Sequence, residues 1–285
     1  MCLLSGLAAL PAYADGWIRD ARPSVLEVRY TRTEVTDTTR RETNFFTEET
    51  MLRIGGGISR YCSVPKFYRD SLVHFNSALY WETERIAFES ASNPIERDMN
   101  KLSRNGRYWD RIYKNYPEGR LTETSYFDMT CWRYEEDWEK PEWEITDETK
   151  EIIGYQCFKA TADYRGRRWT AWFAPEIPLQ EGPWKLCGLP GLILEAADSH
   201  DEYHFLAVGL RQSGVAEVGF LCNKERHGVS RVSRDKFLSN WWKFKNSNFG
   251  AKMSAMFGKG PQPEATKKAD TCHHDREETD YPHDL

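Results

Sequence analysis

Few side chains in this chain are spaced as chemistry demands, and those few define the functional classes open to it. His200 and His204 stand beside Asp198 in DSHDEYH, an imidazole and carboxylate set that suits zinc. Two histidines four apart converge well on a helix, whereas here one falls in a turn and the other in a strand. Cys272-His273-His274 and His283 offer further donors on a polar tail, where such residues are ordinarily solvated. The acidic run 135–148 is interleaved with Trp138 and Trp143, residue types that stack sugars and ligate hard cations. It lacks the Asp-x-Asp-x-Asp-Gly order of a calcium loop, so the simpler reading is an exposed connection whose tryptophans fold back on the core. No Gly-x-Ser-x-Gly elbow, His-Glu-x-x-His pair, phosphate-binding loop or dinucleotide fingerprint occurs. No catalytic residue, metal site or cofactor is assigned.

The elements that must position these groups are strands. In residues 167–173, RRWTAWF, a two-residue period sets Trp169, Ala171 and Phe173 on one face and Thr170 and Trp172 on the other. Residues 155–164 alternate in the same way, and Arg165-Gly166 supplies a two-residue hairpin turn between the runs. Pro175 and Pro178 close the second strand. Gly182-Pro183 marks a turn, and Gly188-Leu189-Pro190-Gly191 leads into a strand with Leu192, Leu194 and Ala196 on one face. A proline bracketed by two glycines reads as a corner where two backbones approach too closely for a Cβ. The alternative, a backbone nest for an anion, lacks the helix and lysine of a phosphate loop.

Gly188 to Ile193 spells GLPGLI, and with the upstream AWFAPEIPLQEGPWKLC it resembles the GLPGLI, or Porph_ging, family of exported bacterial proteins. The resemblance covers 154–198, through the Gly-Arg turn, Trp172, the corner Pro175-Glu176-Ile177-Pro178, Gly182-Pro183-Trp184-Lys185 and Gly188-Leu189-Pro190-Gly191-Leu192-Ile193. It extends more weakly over 51–72. The family implies a Gram-negative envelope setting and carries over no catalytic residue, so the motif is expected to be architectural.

At 285 residues with 11 Trp, 14 Tyr and 14 Phe, the chain can bury a large aromatic core without a metal or a disulfide framework. A mean hydropathy of -0.71 excludes a multi-span membrane protein. The net charge of -5 argues against nucleic-acid binding, and the basic cluster Arg165, Arg167 and Arg168 reads as a solvated hairpin tip. Residues 1–14 are apolar and end in Ala12-Tyr13-Ala14, the small-x-small rule of a signal peptide with cleavage before Asp15, although a basic n-region is missing. In an oxidising compartment Cys62, Cys131, Cys157, Cys187, Cys222 and Cys272 permit up to three disulfides, of which one or two are expected within the sheet.

Along the chain, 24–35, 45–54 and 58–62 alternate as strands, interrupted by Gly55-Gly56-Gly57 as a bend or bulge. Residues 66–114 read as a helical insertion: one helix over 66–87, and a second short one within 90–114. Residues 121–134, 203–210 and 214–223 read as strands, and 233–246 as an amphipathic helix capped by Ser233 and packed on the sheet. Residues 15–250 are then one domain, and 251–285 a disordered tail with almost no aliphatic side chains. The expected fold is mainly β, an antiparallel curved sheet or partly open barrel with a helical insertion and a C-terminal amphipathic helix. The expected function is an exported ligand- or partner-binding module for a small apolar or peptide ligand or an envelope protein, without nucleic acid or a transmembrane span. The alternative is a periplasmic hydrolase using carboxylates or a His200/His204 metal site.

Overall fold

Side-chain alternation decides the first elements. In LEVRYTRTEV, Leu26, Val28 and Tyr30 enter the core from one face of β2 (Leu26–Val35). This strand pairs antiparallel with β3 (Phe45–Gly55), which pairs with β4 (Ile58–Ser63). The glycine run closes the β3–β4 hairpin: Gly56 and Gly57 take φ of 57° and 79°, the left-handed pair that matches strand twist. The structure, a computed structural model, describes residues 17–93, 106–221, 228–247 and 276–281. The signal-peptide reading, Cys222, Cys272, His273, His274 and His283 lie outside the described residues.

The remaining strands are β5 (Arg111–Lys114), β6 (Arg120–Phe127), β7 (Thr130–Asp137), β8 (Glu144–Ile152), β9 (Tyr155–Tyr164), β10 (Arg167–Ala174), β11 (Leu192–Asp198), β12 (Tyr203–Arg211) and the two-residue β14 (Ser230–Arg231). With β2–β4 they form a twelve-stranded sheet in the order β14-β7-β6-β5-β4-β3-β2-β12-β11-β10-β9-β8. The short β14 joins β7 in parallel and makes the sheet mixed; the other pairings are antiparallel. A separate antiparallel pair, β1 (Ile18–Arg22) with β13 (Val218–Leu221), lies against β4.

Connectivity forces this sheet to curl. Strands β7 and β8 lie near opposite ends of the order, yet only residues 138–143 join them. Ten flat inter-strand spacings would separate them by about 48 Å, whereas a link of that length reaches at most about 25 Å. The sheet bends until Arg165, at the β9–β10 turn, pairs with Glu136 of β7 at 3.0 Å, and it remains open rather than closing as a barrel. The inner face carries the main core, including Tyr30, Tyr61, Trp169, Leu194 and Phe205. Tyr61 of β4 and Phe205 of β12 bring their ring centroids to 6.2 Å across it.

The helices cap locally. Ser63 accepts from Lys66 N to start α1 (Val64–Phe75), and Asn76, at φ -150° and ψ 73°, breaks the helical run and caps α2 (Ser77–Glu89) through Leu79 N. The single helix read over 66–87 is thus two. Helix α1 buries Val64 and Phe67 on the outer face against Met51, Cys62 and Trp17. Ser233 caps α3 (Arg234–Lys245) by accepting from Lys236 N, and Phe237 and Leu238 pack on Phe127 and Tyr134.

Several expectations are corrected. The basic cluster at 165–168 is not a solvated tip throughout, since Arg167 is buried against Asp198 and Glu202 at 2.9 and 2.8 Å. The stretch 121–134 holds most of two strands, since Asp128 and Met129 take φ of 48° and 58° and turn the chain without glycine. The second short helix read within 90–114 falls largely on residues 94–105, outside the described residues, and the end of that stretch, Arg111–Lys114, is a buried strand. The described cysteines, Cys62, Cys131, Cys157 and Cys187, form no disulfide with one another, so the disulfides expected within the sheet are absent among the described residues. Part of the polar tail is ordered: Arg276, Glu277 and Glu278 are buried, because ion pairs replace the aliphatic contacts the tail lacks.

Candidate functional site

The glycines and prolines of residues 175–191 fold that segment back onto the inner face of the sheet. A Cβ at Gly191 would lie 2.7 Å from the Ala174 carbonyl carbon and 2.9 Å from Pro175 Cα, so only glycine lets β11 enter beside the end of β10. Gly182 is equally confined, with Leu186 O 2.9 Å from a Cβ, while Gly188 needs its φ of +94°. Pro175, Glu176, Pro178 and Pro190 are exposed at the corners. Pro183, Leu189, Leu192 and Ile193 are buried; Trp172 lies half-buried on the outer face, 4.3 Å from Lys150 Nζ. The motif segment carries two fully buried side chains, Trp184 and Lys185. Trp184 is fully buried at φ +50°, a strained backbone held by Trp169 at 5.4 Å and Tyr164 at 5.9 Å.

Lys185 is the centre of a buried charge network. Its Nζ donates to Glu278 at 2.8 and 2.9 Å and to Tyr134 Oη at 2.5 Å, and lies 3.2 Å from Glu123. Burial opposes its charge, but Glu278, Glu123 and Glu136 together raise its pKa above the ordinary lysine value. Burial also disfavours the Glu278 carboxylate, yet Lys185, Arg234 and Arg276 overcome it and hold the group at about 2. Arg276 pairs with Asp110 at 2.7 Å and with Glu123, and Arg32 holds Glu277 at 2.7 Å. Arg167 donates from Nε and Nη2 to the Arg276 carbonyl at 3.1 and 2.9 Å. Thr279 N donates to Arg165 O at 2.9 Å.

Beside this segment opens a cleft of about 380 Å³. Aromatic and charged side chains share its walls: Trp109 stacks on Tyr126 at 5.6 Å beside Tyr108, Tyr203, Trp241 and Phe244, with Arg107, Asp128 and Lys245 among them. Arg32 lies 4.6 Å from the Tyr108 ring centroid, and the buried Tyr108 hydroxyl has no hydrogen-bond partner among the described residues. Burial pushes Asp110 up to about 7, with Arg276 opposing and Glu123 and Glu277 adding to the rise. Sequence reasoning missed Asp110, Tyr108 and Trp109, which sit in a run with no motif, and the buried role of Arg276 and Glu277.

The histidines do not assemble a metal centre. His200 is exposed beside Asp198 at 3.8 Å, whereas His204 faces Glu195 at 3.1 Å on the outer face. Among the described residues no group of three or more histidine, cysteine or acidic side chains could hold a metal ion. Trp138 and Trp143 of the acidic run pack on the core, and Trp143 Nε1 donates to Cys187 O at 2.8 Å. No helix among the described residues is long and apolar enough to cross a membrane.

Fold and site together define an open, curled β sheet whose inner face is filled by a Gly/Pro-rich loop and lined at one end by paired charges. A family model described as a protein of unknown function, Porph_ging, matches residues 165–195, a short partial match that supports assignment of the chain to that family. The matched stretch runs from the β9–β10 turn through β10 and the loop that carries Lys185 to the start of β11. No curated protein matches the chain. Among solved structures, PNGF-II in its P21 crystal form aligns with a TM-score of 0.49 and 11% identity over 78% of this chain and 34% of that one. Its C2 form aligns at 0.46 and 11% over 75% and 32%, so the chain spans about a third of the length of these structures.

Proposed function

We propose that the protein is an extracytoplasmic ligand-binding β module whose site is the aromatic cleft beside Arg276 and Glu277. The observation that carries this reading is the cleft's composition: stacked and edge-on aromatic rings around charges that are already paired, Asp110 with Arg276 and Glu277 with Arg32. Aromatic walls with a few polar groups bind small apolar or peptide ligands, whereas carboxylates engaged by arginine are poor general bases. The Ala12-Tyr13-Ala14 segment supports an extracytoplasmic setting. Buried thiols such as Cys187, pushed up to about 11 by desolvation, would resist oxidation there.

Native mass spectrometry of the protein purified from its source tests this. A bound mass is expected in the wild type and is expected to vanish in Trp109→Ala, which removes half of the Trp109–Tyr126 wall. A ligand-free wild type, or a bound mass that Trp109→Ala retains, overturns the assignment of the cleft. One observation favours the hydrolase alternative, the Asp110 carboxyl poised at about 7, within the range of a general acid. A hydrolytic activity abolished in Asp110→Asn would establish it.

A further inference from the structure

The segment 276–281 is held as a bound peptide is held. Its main chain is gripped at Arg276 O by Arg167 and at Thr279 N by Arg165 O. Its side chains enter separate sockets: Glu277 on Arg32, Glu278 on Lys185 and Arg234, and Tyr281 among Phe127, Tyr134 and Phe237. Main-chain hydrogen bonds combined with individual side-chain pockets are the physics of extended-peptide recognition. Lys245 at the end of α3 and Arg276 line the same cleft. The segment's own contacts hold it there. The receiving groups Arg165, Arg167 and Lys185 all fall in the stretch 165–195 that the family model matches.

The geometry points to a peptide socket beside the motif loop, specific for two consecutive carboxylates, with residues 276–281 as its displaceable occupant in cis. The partner it fits is a short acidic peptide. This deepens the ligand-binding reading above by naming a ligand class, and it concerns the socket adjoining the cleft rather than the cleft's aromatic walls. Gly166 fits the same role: its φ is +80°, and a Cβ there would lie 2.9 Å from Asp280 N, so a side chain would obstruct the docked segment.

The test uses the full chain and the blocked hexapeptide Arg-Glu-Glu-Thr-Asp-Tyr at millimolar concentration, comparable to the effective concentration of a tethered competitor, which is on the order of millimolar. Backbone hydrogen exchange is expected to accelerate at least tenfold at Thr279 on adding the peptide, with the β9–β10 amides unchanged. A hexapeptide with glutamine in place of the second glutamate is expected to have no effect. Full-length Glu278→Gln, checked for a cooperative melt, is expected to bind the labelled hexapeptide at least tenfold more tightly than the wild type. Unchanged Thr279 exchange, or equal action of the two peptides, overturns the socket, and the wild-type measurement decides even if the variant fails to fold. A ligand lost in Trp109→Ala alongside a negative peptide result would sink the socket alone, while displacement by peptide without any cleft ligand would sink the cleft alone.

Discussion

Asp110 shows how a residue without a sequence motif acquires chemistry from its surroundings. Burial, with Glu123 and Glu277 nearby, lifts its carboxyl from the ordinary 3.8 to about 7 even though Arg276 opposes the rise. Between those values the unfolded chain has released a proton that the folded chain keeps, so stability is greatest below the unfolded value and declines as pH climbs towards 7. Asp110→Asn is expected to remove that decline: chemical denaturation of wild type and variant between pH 4 and 8 will show the wild type losing ground as pH rises. Parallel curves across that range would mean that Asp110 is ionised throughout. Glu278 runs the other way. Held at about 2, it contributes stability above its ordinary 4.5 that fades as pH falls towards 2. Neither behaviour is legible from sequence, because the desolvation and partners that set it come from β6, the motif loop, α3 and the 276–281 segment.

At the scale of elements, the hairpins and the corner are what local sequence specifies best. Arg165 and Gly166, at φ of 53° and 80°, form the turn that alternation on either side demands, and Trp169, Ala171 and Phe173 face inward as their period requires. The β6–β7 turn was hidden, because Asp128 and Met129 enter the left-handed region without a glycine to mark it. The Gly-Pro-Gly corner separates two costs of a side chain. Gly191→Ala sets a Cβ against backbone atoms of Ala174 and Pro175, neither of which can swing aside, and overpacking of that kind costs about 1–3 kcal/mol. Gly57→Ala meets nothing within 4 Å and bears only the strain of its φ of +79°, about 1–2 kcal/mol. Differential scanning calorimetry is expected to show a drop in Tm for both, with poorer packing cooperativity for Gly191→Ala alone. A Gly191→Ala protein as stable as the wild type would mean that the corner opens freely and is not architectural.

Across the whole molecule, Lys185 links three parts distant in sequence: the motif loop, the β6–β7 hairpin through Glu123 and Tyr134, and the segment 276–281 through Glu278. Removing one member of a buried pair strands the other charge, at a cost of about 3–5 kcal/mol. Lys185→Met is therefore expected to lower stability by about that amount in urea denaturation, and lowering the pH towards 4 is expected to relieve part of the loss by protonating the stranded acids. A loss below about 1 kcal/mol would show that the network is solvated rather than buried.

The sequence by itself determined most of the long antiparallel strands, the helix cap at Ser233, and a corner that only glycine can turn, because hydrophobic period, positive φ and capping geometry are local properties. Tertiary structure decided the rest. The curl of the sheet follows from a short link between strands at opposite ends of the order, and the ordering of Arg276-Glu277-Glu278 follows from cations contributed by β2, the motif loop and α3. Polar residues far apart in the chain carry no periodic signal of their pairing, so a stretch that composition marks as a solvated tail becomes core once the fold surrounds it with opposite charge.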